Sequence, residues 1–188
     1  MDYTFHYVSP LGSITLASDG EALVGLWFDG QEHYADTLQP VHREADLPVF
    51  RESCKWLDIY FSGKDPGFVP KLCLRTTPFR KEVWKILLTI PFGKTMTYGA
   101  IAARIGAARG VEKMSAQAVG SAVGHNPISL IIPCHRVVGT AGLTGYAAGL
   151  EKKIRLLALE QGKEKTELSR GKFRLVAGGG LEPPTSGL

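Results

Sequence analysis

The sequence predicts an α+β chain, with antiparallel strands first and helices after. Three observations carry this. Short β-rich runs separated by turn signals fill residues 3–30, and from residue 48 onward the apolar period becomes helical. The composition, 188 residues with 44% hydrophobic and 21% charged, suits a globular protein of one or two small domains.

Tyr3–Val8 alternates as a strand, and Pro10-Leu11-Gly12 turns the chain into Ser13–Ala17. Asp19-Gly20 turns it again into Leu23–Phe28, closed by Asp29-Gly30, so the three runs read as an antiparallel meander. In residues 48–61, Phe50, Cys54, Leu57 and Phe61 fall at helical spacing, and Gly63 ends the run. Leu72–Leu74 reads as an added edge strand. Composition shifts near Thr76-Thr77-Pro78, which places a domain boundary at 75–78. Phe79–Ile90 then reads as an amphipathic helix with Val83, Trp84, Leu87 and Leu88 on one face. The division is 1–75, 76–165 and a tail of 166–188. The last stretch of that tail (AGGGLEPPTSGL) has no apolar period and is expected not to fold.

The net charge of +4 permits a polyanionic partner but equally suits an ordinary, slightly basic enzyme. Three cysteines, far apart and without a C-x-x-C pair, argue against a disulfide framework and against a cysteine-based zinc site. No apolar run is long enough to span a bilayer, and the N-terminus lacks a basic segment followed by an apolar one. The expected location is the cytoplasm, with no membrane partner.

Two short helices, Tyr98–Ile105 and Ser115–Gly124, fit a helix-turn-helix, with Thr95 or Thr97 as a cap and Gly106 as a stop. In the second helix Val119, Ala122 and Val123 can face a core. Ala116, Gly120 and Gly124 share the opposite face, beside Gln117 and Ser121. Glycine inside a helix costs about 1 kcal/mol relative to alanine, so something must approach that face closely. Two readings stand: tight packing against another helix, or a helix laid against a DNA groove. Arg104, Arg109 and Lys113 nearby can hold phosphates.

The strongest local signal is Asn126-Pro127, then Ile128–Ile132, then Pro133-Cys134-His135-Arg136-Val137-Val138. The apolar run reads as a buried strand that breaks off at the proline. A thiol is mostly protonated at neutral pH, and a nearby imidazole, directly or through one water, can take its proton. A carboxylate can fix the imidazole's tautomer. The other reading of Cys134 is a small buried hydrophobe, which is the reading given to Cys54 and Cys73.

This block, together with the helix from Pro78 (PFRKEVWKILLTIPFGKTMTYG), resembles the O6-alkylguanine-DNA alkyltransferases, or methylated-DNA–protein-cysteine methyltransferases. The likeness runs from Pro78 to about Gly162 and is looser in the N-terminal strands. The resemblance implies a ribonuclease-H-like sheet domain followed by a winged-helix-like domain. It implies single-turnover repair, in which a methyl or other alkyl group moves from O6-alkylguanine, and from O4-alkylthymine, to Cys134. His135 would deprotonate Cys134 through a water and Glu160 would orient His135. Asn126 would bridge the helix-turn-helix to the cysteine segment. Tyr98 would donate a proton or hydrogen bond to the departing guanine.

By the same resemblance, Tyr146 would line the pocket over the flipped base, and backbone groups near Val138 and Ala147 would read its edge. Ala116, Gln117, Gly120, Ser121, Gly124, Arg104 and Arg136 would contact double-stranded DNA through the minor groove. No cofactor or metal is expected, and the chain is expected to act as a monomer. Two features depart from the family pattern. Gln117 stands where many members carry arginine, and the connector Ala107–Met114 is longer. Rival readings are a non-repairing relative that only binds alkylated bases, a regulatory DNA-binding module, and a cysteine hydrolase. An intact Cys134 argues against the first. The second would need an added regulatory domain, and the third an oxyanion-hole motif.

Overall fold

The computed structural model describes residues 1–162 and the backbone of 174–176 and 180–182. The three expected strands form β1 (Asp2–Ser9), β2 (Gly12–Ser18) and β3 (Leu23–Phe28), an antiparallel meander. A short β4 (His42–Glu44), not anticipated from sequence, pairs parallel to β1 and gives the order β3-β2-β1-β4. Its three exposed polar residues carry no alternation from which to read it. The edge strand expected at Leu72–Leu74 is reduced to one parallel bridge, Leu23 with Leu72.

Helix α1 (Pro48–Phe61) has the expected span, with proline in its first turn, but its buried face differs from the expected stripe. Val49, Phe50, Ser53, Trp56, Leu57 and Tyr60 are buried, while Cys54 and Phe61 are only half-buried. The hydroxyl of Ser53 donates to the Val49 carbonyl at 2.7 Å, so a polar residue takes the inward position assigned to Cys54. Cys73 is also half-buried rather than core.

Helix α2 (Pro78–Leu87) starts where Thr77 Oγ1 accepts the Arg80 N–H, and it ends three residues earlier than expected. A two-residue β5 (Met96–Thr97) leads into α3 (Tyr98–Arg109), capped by Thr97 Oγ1, which accepts from Ala100 N. Gly106 is not the stop: α3 runs through it and ends at Gly110, which takes the left-handed conformation at φ 63°. Gly106 is small for another reason, since a Cβ there would sit 3.1 Å from the Val111 carbonyl oxygen as the connector folds back. Ser115 caps α4 (Ala116–Gly124), and Trp84 Nε1 donates to the Ala122 carbonyl at 2.8 Å, which locks α4 to α2.

The run Ile128–Ile132 is not a strand. It makes a single bridge to Leu26, and Leu130 adopts φ 69°. The five residues are buried, but Asn126 and the Leu26 backbone take up polar groups that a strand would offer to neighbours. A 3-10 turn (Cys134–Arg136) follows, then β6 (Val137–Val138), parallel to β5, and α5 (Leu150–Glu160). The core is continuous across the sheet, α1, α2, α3, α4 and α5. Of the tail, β7 (Arg174–Val176) pairs antiparallel with β8 (Gly180–Glu182); the rest of it lies outside the described residues, so the expectation for 166–188 falls largely there. Among the described residues no helix is long and apolar enough to cross a membrane.

Candidate active site

Cys134 sits where three pieces of chain are forced together. The edge of β3 holds the segment before it, with Leu26 N–H donating to the Pro127 carbonyl and Ser129 N–H to the Leu26 carbonyl, both at 2.8 Å. Asn126, buried at the end of α4, organises the turn. Its Oδ1 accepts from Ile128 N at 3.0 Å, and its Nδ2 donates to the Ile132 carbonyl at 2.8 Å and to Cys134 Sγ at 3.1 Å. β6 then aligns with β5, bringing the start of α3, and with it Tyr98, beside the same segment.

Because Cys134 and His135 lie in a 3-10 turn and not in a strand, they are not held on opposite faces of a sheet. His135 is fully buried, and its Nε2 donates to Glu160 Oε1 at 2.6 Å. Its Nδ1 makes no hydrogen bond among the described residues. Burial pulls the imidazole below its ordinary pKa, against the opposing pull of Glu160, so the ring is neutral at pH 7. With Nε2 carrying the proton, Nδ1 keeps a free lone pair, as a general base requires.

Burial alone would raise the Glu160 carboxyl, but its contacts to His135 and to Arg136 outweigh it and hold the group at about 2. Arg136 donates Nε to Glu160 Oε2 at 2.9 Å, NH2 to Oε1 at 3.1 Å, and NH1 to the Ile90 carbonyl at 2.7 Å. Burial pushes the Cys134 thiol above its ordinary value, while the Asn126 hydrogen bond and the charge of Lys153 pull it back in part.

A pocket of about 310 Å³ opens over Cys134. Tyr98 of α3 forms one wall, Gly120, Val123 and Gly124 of α4 another, and Gly145, Tyr146 and Ala147 a third, with Glu32 at the rim. This is the size and shape of a small-molecule or single-base site. The bare face of α4 forms part of its mouth. Among the described residues nothing lies within 4 Å of where a Cβ on Gly124 would be, and at Gly120 only the Tyr98 ring approaches, at 3.8 Å. Apart from the Tyr98 ring at the start of α3, no helix among the described residues covers that face, which counts against tight helix packing as the reason for those small residues. Ala116, Gln117 and Ser121 are exposed beside them.

The structure therefore brings together Cys134, His135, Glu160, Asn126, Tyr98, Tyr146 and Ala147. It does not bring Val138 to the pocket wall; Val138 is buried in β6, paired with Thr97. Arg136, expected on DNA, is almost wholly buried, because its guanidinium is the counter-charge of Glu160. Arg104 stays on the surface of α3 with one long hydrogen bond to Thr89. Arg109 pairs with Glu82 at 2.6 Å.

Sequence reasoning missed three residues. Tyr60 of α1 donates to Glu160 Oε1 at 2.8 Å and lies 3.2 Å from His135 Nε2. Glu32 donates its backbone N–H to the Ala147 carbonyl and stands at the pocket rim. Lys153 is a fully buried lysine in an otherwise amphipathic helix. A lysine at an inward position of α5 was the one signal of these available in the sequence.

Two family models match the chain. Residues 78–162 match the DNA-binding domain of 6-O-methylguanine DNA methyltransferase, and residues 3–70 match its ribonuclease-like domain. The methylated-DNA–protein-cysteine methyltransferase of Mycobacterium tuberculosis is 43% identical over 164 residues, covering 86% of this chain and 93% of that protein. The same-named protein of Methanosarcina barkeri is 44% identical over 158 residues, 81% of this chain and 93% of that one. Among solved structures, M. tuberculosis OGT in complex with DNA superposes with a TM-score of 0.73 at 42% identity, over 86% of this chain and 93% of that chain. An O6-methylguanine DNA methyltransferase from Methanococcus jannaschii gives 0.57 at 29% identity, over 84% and 93%.

Proposed function

The chain belongs to the 6-O-methylguanine DNA methyltransferase family, and from that premise we propose that it repairs alkylated DNA by taking the alkyl group onto Cys134. The observation that carries this reading is the position of Cys134 at the floor of a base-sized pocket whose mouth is the side-chain-poor face of α4. A DNA backbone can approach that face closely, and a base turned out of the duplex can enter the pocket beside it.

In this reading residues 1–75 form the ribonuclease-H-like domain and 76–165 the DNA-binding, alkyl-accepting domain. Ala116, Gln117, Gly120, Ser121 and Gly124 face the minor groove, and Arg104 holds a phosphate. His135, kept neutral and oriented by Glu160, takes the proton of Cys134 through a water. The thiolate sulfur attacks the saturated carbon on guanine O6, or on thymine O4. The new S–C bond forms as the C–O bond breaks, and its electron pair stays on the base. Tyr98 supplies a proton or hydrogen bond to the base as it leaves, and Tyr146 and the Ala147 backbone hold its ring. The thioether resists hydrolysis, so each molecule acts once, as a monomer, in the cytoplasm.

One equivalent of protein should remove one equivalent of methyl from O6-methylguanine DNA, and peptide mass mapping should place it on Cys134. Methyl recovered on Cys54 or Cys73, or full transfer by Cys134→Ala, would overturn the assignment.

A further inference from the structure

We propose that Lys153 is a positioning residue for the transfer: its ammonium is the fixed counter-charge of the Cys134 thiolate, and it ties the acceptor segment to the pocket wall. The proposal rests on the reading of Cys134 as the alkyl acceptor. Lys153 is fully buried on α5. Its Nζ donates to the carbonyls of Val137 at 2.6 Å, Thr144 at 3.1 Å and Gly145 at 3.4 Å. Three carbonyls match the three N–H bonds of an ammonium. Val137 lies three residues after Cys134, and Thr144 and Gly145 lead into Tyr146, so one side chain fixes both the floor and one wall of the pocket.

Among the described residues no carboxylate pairs with this ammonium. A buried charge held only by dipoles is costly, and burial brings Lys153 down to about 8, with Cys134 acting in the opposite direction. The interaction is reciprocal, since Lys153 also pulls Cys134 down against its burial. The other groups facing the pair are His135, whose proton affinity Lys153 lowers further, Tyr146, and the neutral Asn126 amide. Glu160 and Arg136 face His135 from its other side. A neutral lysine beside a thiol and an ammonium beside a thiolate hold the same number of protons, so the pair titrates as a unit. The carbonyl cage favours the ammonium, and with it the reactive thiolate.

The test has two arms. Lysine labelled with 13C at the ε-carbon is titrated by NMR in the wild-type protein and in Cys134→Ser. This arm needs no transfer activity, so it stands apart from the repair reading itself. Lys153 should titrate at lower pH in Cys134→Ser, and an unchanged titration overturns the proposal. In the second arm, single-turnover transfer is followed against pH in Lys153→Met. Loss of the counter-charge should move the rising limb of the profile up by about one pH unit. At neutral pH that is about tenfold less thiolate and a tenfold slower transfer, recovered in alkali. Lys153→Met with the wild-type profile also overturns the proposal. Should Lys153→Met fail to fold, the NMR arm decides.

Discussion

From a single amide nitrogen, Asn126 donates to Cys134 Sγ at 3.1 Å and to the Ile132 carbonyl at 2.8 Å. The thiol's position and the turn that carries it are thus set by the same side chain. Asn126→Ala leaves the buried Ile128 N–H without its partner and takes one of two donors from the Ile132 carbonyl, which keeps the Cys134 N–H, a cost of about 2 kcal/mol in stability. It also removes a donor to the sulfur. Methyl transfer should slow by about 10- to 100-fold, as read by single-turnover kinetics, and urea unfolding should report the stability loss.

The Glu160 carboxyl, held at about 2 against an ordinary 4.5, predicts an acid-sensitive fold. A depressed carboxyl stabilises the folded state above its unfolded pKa and loses that contribution as pH falls through the folded one. The linkage amounts to about 3 kcal/mol. The stability difference between wild type and Glu160→Gln should therefore be full at pH 7 and fade between about pH 4.5 and 2, measured by urea unfolding across that range. A difference that does not change with pH would mean that Arg136 and His135 do not hold the charge.

The two glycines of α4 predict opposite effects on stability and function. A Cβ fits at both Gly120 and Gly124, so Gly120→Ala and Gly124→Ala should each raise stability by up to about 1 kcal/mol. Each should nonetheless weaken binding to DNA and slow transfer, because under the proposed function the added methyl would stand where the nucleic acid approaches. Thermal unfolding and a binding titration, made on the same samples, check both signs.

Gln117 is exposed on that face and uncharged. Gln117→Arg should tighten DNA binding and steepen the dependence of log Kd on log salt by about 0.9. Arg136→Met is the contrasting case. Its guanidinium is consumed inside the protein, so the variant should lose stability and leave the salt slope unchanged.

Much of this was legible in the sequence where local chemistry decides. The meander, the span of α1 and a threonine cap before Tyr98, left open between Thr95 and Thr97, follow from turn residues and from hydroxyl-bearing residues at helix starts. The Cys-His pair was legible as a site but not as a geometry. The apolar run Ile128–Ile132 suggested a buried strand, and only the three-dimensional contacts of Asn126 and Leu26 reveal that it is a buried turn. Arg136 was misplaced because a basic residue in a DNA-binding chain suggests a phosphate, and its partner lies 24 residues away on α5. Gly106 was read as a stop because glycine ends helices, whereas here it admits the returning connector. Tyr60 carries no local mark at all; its role exists only once α1 has packed against α5.

That last contact bears on when the protein becomes reactive. Tyr60 and Glu160 are 100 residues apart, and both touch the ring that would deprotonate Cys134. During synthesis the thiol emerges before Glu160 does, and it lacks its oriented base until α5 has formed and Glu160 has met His135 and Tyr60. Until then Cys134 is an ordinary cysteine; what the finished fold adds is the oriented imidazole, since burial by itself raises the thiol.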